Sequence, residues 1–75
     1  MKAHWWPNAT LALLNMPRED AENVDRAVAL WASSGEGIVI ASEGGVFLVF
    51  VGAHVVEFLI DVGQDAMHVE RVRRA

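Results

Sequence analysis

Residues 46–61 read VFLVFVGAHVVEFLID, and no other part of the chain restricts the fold as much. The stretch is two apolar runs broken by a single Gly-Ala step. It is rich in β-branched and aromatic residues, the types that fit a pleated surface. The first run, 46–51, has no polar residue on either face. An antiparallel strand in a small domain usually keeps one wet face and therefore alternates. A strand that is apolar on both faces needs cover on both. In a chain of 75 residues, a second molecule can supply part of that cover. The sequence points to a small α+β domain that binds a partner, and it displays no complete active site.

The same conclusion follows from size. One domain is expected over residues 1–75, and a chain near this length buries only about 60% of its unfolded surface. There is no cysteine, so disulfides are excluded. His4, His54 and His68 are far apart in sequence, and none has a ligand-spaced neighbour, so no metal or cofactor is expected. Apolar residues make up 53% of the chain. Self-association or a permanent partner is the remaining common route to stability. Residues 1–6 lack the apolar core of a signal peptide. The longest apolar stretch is interrupted by Gly52, His54 and Glu57, too polar to cross a bilayer as a helix. A cytoplasmic location without membrane contact is the expectation.

The net charge is −4, yet three of the six basic residues, Arg71, Arg73 and Arg74, fall in the last five positions. Acids dominate from Arg18 to Asp65. An acidic body argues against general nucleic-acid binding, which rewards a broad basic face. The basic end reads either as a solubilising tail or as a contact for phosphate or an acidic partner.

Order along the chain is clear. Residues 2–6 suit a first strand, and Pro7 can open a helix at its first turn. Leu11 and Leu14 are at helical spacing within 8–15, and Pro17 closes that piece. Over 18–33, Ala21, Val24, Ala27, Val28 and Trp31 form one apolar stripe, with acids crowding the first turn. Ser33, Ser34 and Gly35 stop it. Strands are expected at 38–41, 46–51, 54–61 and 66–73. Glu43-Gly44-Gly45 supplies one tight connection, Gly52-Ala53 the next, and 62–65 the last. Regular alternation in the final strand sends Met67, Val69, Arg71 and Arg73 one way, and His68, Glu70 and Val72 the other. The result is a β-α-α-β-β-β-β order, an antiparallel sheet with two helices on one face.

Generic catalytic and nucleotide-binding motifs are absent. His54 and Glu57 could act as acid and base, but three-residue spacing on a strand puts them on opposite faces. His68 with Arg71, Arg73 and Arg74 is the one cluster with chemical promise, because guanidinium forks suit phosphate and carboxylate.

The order of elements and several short runs resemble the RelE/ParE toxin superfamily of bacterial toxin–antitoxin systems. Members end in strands with a pattern like Y-R-L-R-V-G-D-Y-R-V-x-Y-E-I-D, and residues 46–61 occupy that place. The family's S-P-x-A-x-x-x-L opening matches Trp6-Pro7-Asn8-Ala9-Thr10-Leu11 to Leu14. Its V-x-V-L-R-V ending matches Met67-His68-Val69-Glu70-Arg71-Val72. The resemblance implies a RelE-like fold and an antitoxin partner, with ribosome-bound mRNA or gyrase as possible target. It also shows departures. The arginine of the family's G-x-Y-R falls on Val55, and the basic residues of the preceding strand fall on Leu48 and Phe50. Cleavage of RNA needs a base, an acid and cations for the developing charge. Val, Leu and Phe supply none of them.

Two classes of function stay open. One is a toxin-like protein that binds an antitoxin, or a second copy of itself, through Val46, Leu48, Phe50, Val55 and Phe58, without nuclease activity. A gyrase-type inhibitor belongs with this class, since it too acts by protein contact. The other is an mRNA endonuclease in which His54 or His68 and Arg71, Arg73 and Arg74 take relocated roles.

Overall fold

Lys2–Trp5 forms strand β1, and the chain enters helix α1, Pro7–Leu14, directly after it in a computed structural model that describes residues 1–75. Pro7 stands at the first helical position, where its missing N–H leaves no hydrogen bond unmade. Pro17 precedes helix α2, Arg18–Ser34, which carries Glu19 and Asp20 in its first turn. Gly35 ends α2 in the left-handed region at φ 72°, and its N–H donates to the Trp31 carbonyl over 2.8 Å. Strand β2 is Val39–Ala41, β3 is Phe47–Val51, β4 is His54–Asp61 and β5 is Ala66–Arg74. A single 3₁₀ turn, Glu43–Gly45, joins β2 to β3, with both glycines at positive φ. Val46 lies at the end of that turn, extended and half-buried, one residue before β3. Gly52, at φ 58°, makes the two-residue turn into β4.

The strand order is β1-β5-β4-β3-β2. Strands β2 to β5 pair antiparallel, as tight turns require, whereas β1 pairs parallel to β5. The sheet is therefore mixed and not wholly antiparallel. The reason is connectivity: β1 has no hairpin partner, and the two helices carry the chain from its edge of the sheet to the opposite one. No helix is long and apolar enough to cross a membrane.

Both helices cover the same face. Beneath them Ala9 of α1 and Val24 and Val28 of α2 close over Val49, Val56, Phe58, Met67, Val69 and Val72. Phe58 lies at the centre, stacked on Phe47 at 5.7 Å and tilted against Trp31 at 4.8 Å. It is 0% exposed. The expectation that Phe58 belongs to a partner surface is overturned, because its side chain points into the helix-covered core. In β4 the acids Glu57 and Asp61 fall on the opposite side from Phe58, but apolar residues stand on both sides and mask that two-residue period.

The last strand departs from regular alternation as well. Glu57 pairs with Arg71 while the next residue, Phe58, pairs with Val69, so Glu70 has no partner and forms a bulge. One extra residue shifts the phase of everything beyond it. Met67, Val69 and Val72 therefore all reach the core, and His68, Arg71 and Arg73 share the opposite face. The alternation expected over 66–73 placed Arg71 and Arg73 with Met67 and Val69, and that is corrected. Deleting Glu70 leaves Val69-Arg71-Val72-Arg73 in plain alternation, so the variant should unfold cooperatively and close to the parent. Deleting Val69 instead sets Glu70 at a core position, a buried unpaired charge. Thermal unfolding followed by circular dichroism should separate the two; equal losses would contradict this account of the bulge.

Candidate functional site

The fold leaves the other face of the sheet without helices, and its residues fall into three cross-strand rows. Ile40, Leu48, Glu57 and Arg71 make the first. Phe50, Val55 and Arg73 make the second. Leu59, His68 and His4 make the third. The rows have a direction: the β2 and β3 side is apolar, and the β5 side is cationic and aromatic. Ile40 and Phe50 are 49% and 47% exposed, high values for such side chains. Val55, in contrast, is 1% exposed, flanked by Phe50 and Arg73 across the ladder. Its assigned place in a partner surface is corrected: it supports that surface from below and offers none of its own.

Glu57 holds the middle of the charged part. A single carboxylate oxygen, Oε2, lies 3.3 Å from Arg73 Nε and 3.5 Å from Arg71 Nε. Arg73 also donates from Nη1 to the Arg74 carbonyl over 3.4 Å. One anion between two cations leaves this cluster with a net charge of one. Four of the ten acids, Glu19, Asp20, Glu22 and Asp25, lie on α2 in the other layer. Both arginines are exposed, and such pairs contribute about 0–1 kcal/mol. Replacing Glu57 with glutamine should therefore change stability by less than about 1 kcal/mol. The same change frees both guanidiniums, so the variant should elute from heparin at clearly higher salt. Unchanged elution would show that Glu57 does not govern the charge of this face.

His54 does not join the cluster. It faces the helix layer, 7% exposed, beside a shallow pocket with Asp20 and Asn23 of α2. Arg74 pairs with it across the ladder and is turned away from Arg73 by one residue of alternation. Of the residues expected to carry chemistry, the fold brings together His68, Arg71 and Arg73, and it leaves out His54 and Arg74.

A residue not singled out in the sequence completes the group. His4 pairs with His68 across the parallel β1–β5 ladder, and the rings stack at 5.5 Å. Trp6 lies 6.4 Å from His68 on the same side. The alternation Lys2, Ala3, His4, Trp5 already carried the signal, with polar residues at every second position and apolar ones between. The parallel pairing that brings His4 beside His68 had none.

No protein-family model matches the sequence, and no curated protein matches it. Solved structures do. The chain superposes on one in the archaeal RelE–RelB complex from Pyrococcus horikoshii OT3 with a TM-score of 0.79 at 9% identity, covering 97% of this chain and 92% of that one. For the intact E. coli RelBE toxin–antitoxin complex the TM-score is 0.80 at 8% identity, with 99% and 95% covered. For the chromosomal ParDE system from P. aeruginosa it is 0.74 at 13% identity, with 100% and 96% covered. At identity this low the superpositions show the fold alone, the RelE-like α+β arrangement that the sequence resembled.

Proposed function

We propose that the chain is the toxin-like member of a toxin–antitoxin pair and works by binding protein along its helix-free face. The observation that carries this reading is the exposed apolar half of that face. Ile40, Leu48 and Phe50 form it on β2 and β3, two strands without a charged residue. Exposed apolar surface of this kind, rimmed by the Arg71–Glu57–Arg73 group, is the make-up of a protein-binding patch. The structural neighbours above all come from toxin–antitoxin complexes, which suits an antitoxin as the occupant. A second copy of the chain is the other occupant this chemistry fits. Gyrase as a cellular target would be reached by the same mode of contact.

The experiment is co-expression of the chain with the product of each flanking reading frame, followed by size exclusion with light scattering. A stoichiometric complex or a self-associated species is expected. A monodisperse monomer that captures neither product would end this reading.

One observation favours an endonuclease as the second reading. The bulge at Glu70 sets His68, Arg71 and Arg73 on one face, a titratable ring beside two cations. The test is mRNA cleavage by the purified chain on ribosomes, compared with an Arg71→Gln, Arg73→Gln double variant. Point substitutions are needed, because removing the last five residues would take Val72 from the core and break the Ala75 N–H bond to the Ala53 carbonyl. Cleavage that persists in the double variant would remove these arginines from the mechanism.

A further inference from the structure

We propose that His4 and His68 form a two-histidine site for a borderline divalent metal ion of the Zn²⁺, Ni²⁺ and Cu²⁺ class, held across β1 and β5. The two residues are direct partners in the parallel ladder, and their ring centroids are 5.5 Å apart. An ion bound 2.0–2.1 Å from one nitrogen of each ring, at a tetrahedral angle, holds the centroids about 5 Å apart. The backbone register thus already supplies the required separation. The rings now stack at 22°, and rotation about χ2 turns a nitrogen edge of each toward the other. No hydrogen bond of the protein holds either imidazole against that rotation.

The surroundings choose the ion. Neutral imidazole suits Zn²⁺, Ni²⁺ and Cu²⁺, whereas Ca²⁺ and Mg²⁺ demand oxygen ligands. Leu59 flanks His68 on β4, and Trp6 stands on the same side. No third metal-capable side chain converges on the pair, so water fills the remaining positions. The consequence is mechanical. Strand β1 has only four residues and a single neighbour, and an ion across the pair ties it to β5. Binding to the folded form alone then raises the melting temperature in proportion to the logarithm of free ion.

The untagged full chain is titrated with ZnCl₂ by calorimetry, with CaCl₂ as control, and its histidine ring signals are followed by NMR. One Zn²⁺ per chain is expected, with the His4 and His68 signals shifting together, the His54 signal still, and no response to Ca²⁺. Either His4→Gln or His68→Gln should abolish the binding and the rise in melting temperature. Absence of binding at millimolar Zn²⁺, binding that survives either substitution, or a response confined to His54 overturns the proposal. The NMR arm uses the unsubstituted chain, so it decides the matter even where a variant folds poorly.

Discussion

Replacing Phe58 with alanine is expected to remove about 3–5 kcal/mol of stability, the range for truncating a fully buried phenylalanine. A chain of this length has roughly 4–11 kcal/mol in total, so the variant should lose a large share of its stability and, at the lower end of that range, stand near its unfolding midpoint at room temperature. The site offers little chance of collapse into the gap. Phe58 is fixed between Trp31 of α2 and Phe47 of β3, with Val69 as its ladder partner. Its ring meets Trp31, one of the contacts that seat the longer helix on the sheet beside Val24 and Val28. Losing it also forfeits two aromatic pairings, each worth about 0.5–1.5 kcal/mol beyond burial in such settings. Urea unfolding monitored by Trp fluorescence measures the loss. A decrease under about 1 kcal/mol would place Phe58 outside the core and undo the assignment of faces in β4.

The opposite pattern is expected for Phe50→Asp. Phe50 is half exposed on the helix-free face, so folding should suffer by no more than about 1 kcal/mol. Partner binding should weaken by about 2 kcal/mol or more, roughly thirty-fold, if the aromatic ring anchors the interface. The carboxylate would be desolvated there without a partner, since its own ladder neighbour is Val55. Ile40→Asp, two strands from β4 on the same face, should act in the same direction. Calorimetry against the co-expressed partner, or light scattering if the chain pairs with itself, gives the readout. Full affinity in both variants would move the interface off this face, while a lowered melting point with normal affinity would show Phe50 to be structural.

Much of the fold could be read directly. The stripe from Ala21 to Trp31 is a helix because its apolar positions recur at the helical period, and the glycines at 35, 44, 45 and 52 each meet a positive φ. The surface was harder to read, for two physical reasons. In β4, Glu57 and Asp61 mark one side and Phe58 lies on the other, but the apolar residues on both sides mask that period, and neither Phe58 nor Val55 offers the open surface expected of it. In β5 the spacing of Val69 and Val72, three apart on a strand, was the one trace of the bulge. It marks a place where period two cannot hold both valines in the core. The pairing of His4 with His68 lay beyond any local pattern, because a parallel ladder between distant strands is set by the path of the helices.

That pairing has a consequence for how the protein is made. Lys2 and Ala66 are partners although 64 residues separate them, and β5, the strand between β1 and β4, is the last element of the chain. During synthesis β1 and α1 emerge before β5, the strand that both pack against. Contacts between the two ends of a chain delay folding, because loop closure must precede them. The β2–β3–β4 meander can form early, but the cationic and aromatic half of the open face cannot exist until β5 is inserted. That half of the open face is therefore completed only when the final strand is in place.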